Sequence, residues 1–246
     1  DERAPDVALQ NRTNRICWKD FSLPYWFLDL EELFGVYNLE PGSNQKAIIK
    51  EHVTSLKTQY AELNDIKDVL ISADSPLFFN IDDLITNLES ARDSEKSAAG
   101  KKPYESIVLK FQSVRSDTRY SFLHNEIEEE TAIGEYFKTI LGLGAPEKHL
   151  NILDLSGLPA EVRAVCVGVI SRLCFDFKYW DIDPEHLPLN LVLEEAHTYI
   201  PEESDAKFNI CKERVERIAK EGRKYGIGLT VVTQRPSNVS TTVLSQ

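Results

Sequence analysis

The stretch NLVLEEAH, Asn190 to His197, decides the fold: an apolar run that ends in two adjacent carboxylates. Downstream, EGRKYGIGLTVVTQRPS, Glu221 to Ser237, adds a basic helix end, a tight glycine turn, a second apolar strand and a polar exit. Upstream, HLNILDLSG, His149 to Gly157, reads as a further short strand with a turn. Between these strands, Pro159 opens a helix through Tyr179 that is apolar nearly all round, at Val162, Val165, Cys166, Val169, Ile170, Leu173 and Phe177. A helix of that kind is a buried one. A second helix, NICKERVERIAKEGRKYG, ends at Gly226, a good C-cap signal. Strands alternating with helices predict an α/β fold with a parallel sheet and helices on its faces. Such sheets bind ligands beyond the carboxyl ends of their strands. All three predicted strands end in polar residues: Asp154 and Ser156, Glu194 and Glu195, Thr233 and Gln234.

The stretch from about Leu23 to Gly144 reads differently, as mostly helical. PYWFLDLEELFGVY places Pro24 at a first helical position and carries Phe27, Leu30, Leu33 and Phe34 at helical spacing. The next helix opens at Ser43 as a candidate N-cap, with Ile48, Ile49, Val53, Leu56, Tyr60 and Leu63 as one stripe. A third follows the Ser75-Pro76 turn, as IDDLITNLESARD. It runs into SEKSAAGKKP, which reads as a mobile polar loop. The fourth, YESIVLKFQSVRSDTRYSFL, turns Ile107, Val108, Phe111, Val114 and Phe122 inward. Four amphipathic helices with polar connections suggest a small bundle.

Composition bounds the possibilities. The 246 residues can bury a sizeable core. No run of about eighteen apolar residues is present, so no membrane-spanning segment is expected. Cys17, Cys166, Cys174 and Cys211 form no CxxC pair and no metal spacing, which favours a reduced, cytoplasmic protein. The net charge of -12 argues against a surface that coats nucleic acid all over, but is compatible with a few basic loops inside a pore. The basic Lys96 to Lys102 stretch is a candidate for such contact.

The chemistry centres on the strand ends. Nucleotide hydrolysis needs one carboxylate to hold Mg²⁺ through its water shell and another to orient and activate the attacking water. Adjacent residues at a strand end point to opposite sides, so Glu194 and Glu195 can divide these roles. On residues alone the pair reads equally as a solvated acidic loop, His197 as a structural hydrogen-bonder, and Thr233-Gln234 as a loop start. Arg223 projects off the stripe made by Val215, Ile218, Gly222 and Tyr225. Its forked, permanent charge suits phosphoryl oxygens. It shares its helix with Lys212, Arg214, Arg217, Lys220 and Lys224, so a solvated basic face is the competing reading.

LVLEEAHTYIP, EGRKYGIGLTVVTQRPS, ILDLSGLP and LPYWFLDLEELFG with the helices after it resemble, in the same order, the HerA branch of the HerA/FtsK superfamily of hexameric DNA-translocating ATPases. The resemblance runs from about Phe21 to Gln246. It implies a partial RecA-like parallel-sheet core, with residues 1–22 as a lead-in, 23–145 as a helical-bundle insertion and 146–246 as the C-terminal half. It implies Glu194 as the Mg²⁺-associated carboxylate, where relatives often have Asp, and Glu195 as the catalytic glutamate. Gln234 resembles the sensor beside the γ-phosphate, with Thr233 next to it at the nucleotide. Arg223 resembles the arginine finger that reaches a neighbouring subunit's site. The implied cofactors are ATP and Mg²⁺. The implied partners are five further copies in a hexamer, double-stranded DNA in the pore, and a nuclease or other effector, as in some antiphage systems. No GxxxxGK[ST] phosphate loop occurs in the chain, and it contains no Met. The phosphate loop and an N-terminal β-barrel are therefore expected before Asp1. Two alternatives stand: a non-catalytic ring scaffold that assembles an effector, and a DEAH-type helicase suggested by EEAH. TQRPS fits the latter poorly, because such helicases carry a Ser-Ala-Thr type motif there.

Overall fold

Two pairs of parallel strands carry the chain. The structure, a computed structural model, describes residues 12–39, 44–67, 69–124, 136, 140, 149–180, 188–203 and 206–246. They fall into two compact units, one of residues 1–29 and 42–158, the other of 30–41 and 159–246.

In the first unit, strand β1 (Thr13–Cys17) pairs in parallel with β2 (Leu150–Asp154), Thr13 opposite Leu150 and Cys17 opposite Asp154. Between them in sequence, Pro24 opens a single 3₁₀ turn, Tyr25–Phe27, rather than the longer helix expected there. Helix α1 (Leu30–Val36) begins later and belongs to the second unit. Helices α2 (Gln45–Leu63), α3 (Ile81–Ser94) and α4 (Ala98–Ser116) pack on one another in the first unit. A short helix α5 (Ser121–His124) closes this run after a break at Asp117. Ser43 and most of the expected helical stretch beyond His124 lie outside the described residues.

Three local readings need correction. Leu63 is exposed, whereas Lys57 is fully buried in the α2 stripe. Its ammonium donates to the Ala73 and Ser75 carbonyls, 2.6 Å each, so the buried charge has acceptors. In the SEKSAAGKKP segment only Glu95–Ser97 connect two helices, and the rest is helical. Ser97 caps α4 by accepting the Gly100 N–H at 3.0 Å, and the Ala and Lys residues that follow are good helix formers. Lys101 and Lys102 are thus the first turns of a helix. Strand β1 went unpredicted because TNRIC is mostly polar and neither of its faces is fully buried.

In the second unit, helix α6 (Ala160–Trp180), strand β3 (Leu189–Glu194), helix α7 (Ala206–Glu221) and strand β4 (Ile227–Val232) follow in order, then a short α8 (Thr241–Leu244). Strands β3 and β4 pair in parallel, Leu189 opposite Ile227 and Glu194 opposite Val232. Helix α6 buries Val162, Cys166, Val169, Ile170, Leu173 and Phe175, as its all-round apolar pattern predicts. Gly168 lets α7 approach: a Cβ there would sit 3.1 Å from Cys211 Cα. Phe175, Ile218 and Ile227 form the core beneath β3 and β4, with the Arg217 guanidinium 4.1 Å from the Phe175 ring. All four cysteines are free, and burial pushes the Cys174 and Cys211 thiols up to about 12.

Helix α1 is pinned to α6 by a buried ion pair. Arg172 donates to both Glu32 oxygens at 2.7 and 2.8 Å and to Asp176 at 3.3 Å, and Glu32 is almost wholly buried. Removing one partner of such a pair leaves an uncompensated buried charge and costs about 3–5 kcal/mol. Arg172→Ala is therefore expected to lower unfolding free energy by about that amount in urea titration. The double change Glu32→Leu with Arg172→Met should recover a large part of it. At the end of β2, Asp154 accepts from the Ser156 hydroxyl at 2.7 Å and from Arg15 at 2.8 Å. These bonds, the Ser156 hydroxyl first, hold its carboxyl down at about 2. A depressed carboxylate pKa contributes stability that is present above the unfolded value and lost as pH falls through the folded one. Carboxyl NMR titration is expected to give Asp154 a midpoint near 2, moved toward ordinary aspartate values by Ser156→Ala with Arg15→Leu.

Candidate functional site

Parallel pairing in register brings the exits of β3 and β4 side by side. Glu194 ends β3 opposite Val232, so Glu195 and Thr233 are the first residues beyond the ladder on each strand. Both exits are then stitched together. Pro201 and Val239 form an antiparallel bridge, the Glu202 N–H donates to Asn238 O and the Ser240 N–H to Ile200 O. Glu202 also caps α8, accepting the Thr241 N–H at 2.7 Å and its hydroxyl at 3.0 Å. The loops that carry the polar residues are thus held at both ends.

The two glutamates separate by a backbone turn rather than by the strand pleat. Glu195 adopts φ 52°, ψ 42°, a left-handed conformation uncommon for a residue with a Cβ. Its carbonyl is turned to accept both the Thr198 N–H, 2.9 Å, and the Thr198 hydroxyl, 2.8 Å. Glu194 is exposed, and its carboxylate bonds to no described residue.

Glu195 has a polar neighbour at each carboxylate oxygen. Gln234 Nε2 donates to Oε1 at 3.0 Å, and His197 Nδ1 lies 3.3 Å from Oε2. The same Nδ1 is 3.1 Å from the Thr233 hydroxyl, which in turn accepts the Arg235 N–H at 3.1 Å. Glu195, Thr233 and Gln234 therefore meet in one cluster. His197 joins them, although on sequence alone it reads as a structural hydrogen-bonder. The available signal was its place two residues after Glu195, on a turn that brings it back toward the strand ends.

Arg223 lies elsewhere. Helix α7 stops at Glu221, and Gly222–Tyr225 form a 3₁₀ turn, so Arg223 sits on that turn rather than on the helix. Val215, Ile218 and Gly222 are buried and Tyr225 half-buried, while Arg223 is exposed and bonds through its side chain to no described residue. The turn is tight: a Cβ on Gly222 would fall 2.8 Å from the Ile227 carbonyl oxygen. Gly226 ends it at φ 75°, as the C-cap signal predicts. Arg223 precedes β4 while Gln234 follows it, so the six residues of the strand separate them by about 20 Å.

The cluster can accept a proton from water and present polar groups to an anion, but it is not itself a metal cage. Among the described residues no group of three or more His, Cys, Asp or Glu side chains could hold a metal ion. Mg²⁺ bound with a nucleotide needs only one or two protein carboxylates besides phosphate and water. The exposed Glu194 carboxylate fits that requirement.

The family model described as helicase HerA, central domain, matches residues 4–174. The chain is similar to the DNA double-strand break repair helicase HerA of Saccharolobus solfataricus, 39% identical over 167 residues, covering 65% of this chain and 29% of that protein. It is similar to the probable DNA double-strand break repair helicase HerA of Methanocaldococcus jannaschii, 46% identical over 162 residues, covering 57% and 30%. The HerA helicase of Sulfurisphaera tokodaii is 42% identical over 101 residues, covering 39% and 20%. The chain spans 29%, 30% and 20% of the length of these three relatives.

Proposed function

The chain belongs to the HerA helicase family, through its central domain, and on that footing we propose that the protein is an ATP-driven DNA translocase or helicase subunit. The observation that carries the reading is the 3.0 Å contact between Gln234 and Glu195 across the exits of two parallel strands. It puts a carboxylate and a neutral amide at the place where sheets of this kind bind ligands. The names of the relatives support DNA as the substrate.

In this reading Glu195 orients and activates the attacking water, accepting its proton. Glu194 contributes to holding Mg²⁺, and Thr233 and Gln234 contact the nucleotide, the amide sensing the γ-phosphate. Mg-ATP, when bound, supplies the reacting phosphoryl group and the metal that shields its charge. Arg223, about 20 Å away along β4, serves a neighbouring copy's site instead of its own. That assignment requires a ring, and we propose a homo-hexamer around double-stranded DNA. The lead-in 1–22 and the C-terminal half of the core, 146–246, then flank a region, 23–145, that carries the helical insertion, apart from α1, which belongs with the second unit. A nuclease or other effector as partner, a place in antiphage defence and a cytoplasmic location complete the proposal. Among the described residues no helix is long and apolar enough to cross a membrane.

Glu195→Gln in the full-length protein is expected to cut steady-state phosphate release by at least about 10²-fold while nucleotide binding persists. Turnover near wild type would remove the water-activating role. Wild-type protein that assembles but never hydrolyses ATP would point instead to a ring scaffold for an effector.

Arg223→Ala should lower hydrolysis by roughly 10³-fold, with assembly and ATP binding intact. Mixing Arg223→Ala subunits with Glu195→Gln subunits creates some interfaces with both residues wild type, so partial recovery of phosphate release is the expected result. A fully active Arg223→Ala protein would return this residue to a solvated basic turn.

A further inference from the structure

We infer that His197 is a positioning residue for Glu195: its Nδ1 edge stands against the second carboxylate oxygen, and its hydrogen bond to Thr233 ties it to the exit of β4. The inference rests on Glu195 as the water-activating group, and it goes beyond that reading by assigning what holds the group in place.

Three observations converge on it. First, Glu195 is only partly shielded, its side chain 43% exposed, so packing alone does not select a rotamer. Its two oxygens instead face different elements. Gln234, from the β4 exit, donates to Oε1, and His197, from the 3₁₀ turn Ala196–Thr198, stands 3.3 Å from Oε2. Second, the surroundings of Nδ1 favour a proton on it. This nitrogen makes its hydrogen bond with the Thr233 hydroxyl at 3.1 Å. An unprotonated Nδ1 would turn its lone pair toward a carboxylate oxygen 3.3 Å away, and a carboxylate oxygen offers no hydrogen. Third, the backbone is bent for this purpose. The left-handed turn at Glu195 is what carries the chain round so that residue 197 comes back to face residue 195. Thr198 holds the turn through two bonds to the Glu195 carbonyl. Strained backbone of this kind persists where surrounding bonds over-determine it, and it clusters at functional sites.

The result is a closed circuit of polar contacts, from Thr233 through His197 to Glu195 and back through Gln234 to the same strand exit. His197 does not touch the reacting atoms in this arrangement. It removes the rotational freedom of the carboxylate, and a misplacement of about 1 Å in such a group can cost about 10²-fold in rate.

The test uses the full-length protein and three substitutions. His197→Phe keeps a ring of similar size and removes the donor. His197→Asn puts an amide Nδ2 near where Nδ1 stood, restoring a donor that cannot relay protons. His197→Phe is expected to lower kcat by about tenfold to 10²-fold with KM for ATP little changed. His197→Asn should recover most of that loss. In a Glu195→Gln background His197→Phe should cost nothing further, since the group it positions is already gone. Nitrogen-15 NMR of the imidazole should show the proton on Nδ1 at neutral pH, independently of activity.

An unaltered kcat for His197→Phe, in a protein that Glu195→Gln inactivates, would overturn the inference alone. An Asn variant as impaired as Phe would overturn it too, by showing that the imidazole and not the donor matters. A fully active Glu195→Gln protein would instead remove the catalytic reading beneath it. Thermal unfolding of each variant, matched to wild type, excludes a trivial loss of fold.

Discussion

Parallel pairing of β3 with β4 is the constraint from which the rest of the second unit follows. Parallel neighbours cannot be joined by a hairpin, so the chain must leave the end of one strand and return to the start of the next. The return is α7, and it must lie against the sheet to bury its stripe. That in turn demands small residues where backbones meet. Gly168 admits α7 against α6, and Gly222 admits the turn against the carbonyl of Ile227. Both loops at the far end then leave in the same direction from adjacent positions, Glu194 and Val232. The cluster at that end is a by-product of the ladder's register. A one-residue slip would carry Thr233 and Gln234 to the opposite face of the sheet and break it.

Helix α1 shows a different economy. It is separated from α6 in sequence by more than a hundred residues, yet belongs to the same unit. Apolar contact contributes, with Leu33 and Phe34 buried, but apolar contact is non-directional. The forked bonds from Arg172 to Glu32 add direction, because a bidentate pair tolerates only a narrow range of helix placements. A buried pair of this kind is weak evidence for net stability and better understood as setting register.

Legibility in the sequence followed the strength of periodicity. The buried helix α6, the strands β3 and β4 and the Gly226 cap were all visible, because each rests on runs of apolar residues or on a glycine that backbone sterics require. Strand β1 was not, since a polar, half-exposed strand carries no alternation and its partner lies 137 residues away at Leu150. The α4 start was hidden because SEKSAAGKKP is low in apolar residues, whereas its helix is set by the Ser97 cap. Lys57 in a buried stripe was equally invisible: its acceptors are carbonyls of a distant turn, not residues that a pattern can reveal. At the site, Glu195 and Gln234 were legible as polar strand ends. The left-handed turn at Glu195 was not, because nothing in a glutamate announces φ > 0, and with it went the role of His197.

That last point bears on how the site can work. A carboxylate 43% exposed sits in a medium of high effective dielectric, where hydrogen bonds to it add little electrostatic energy. Gln234 and His197 therefore act on Glu195 chiefly by orienting it. Orientation is an entropic contribution, and it is largest when reacting groups would otherwise rotate freely. Electrostatic stabilisation of a transition state, by contrast, requires that water be excluded and dipoles held in place. The exits of β3 and β4 supply the fixed groups. The exclusion of water from above them must come from whatever closes over the strand ends, and in the reading proposed here that is the nucleotide itself and the Arg223 face of the next copy.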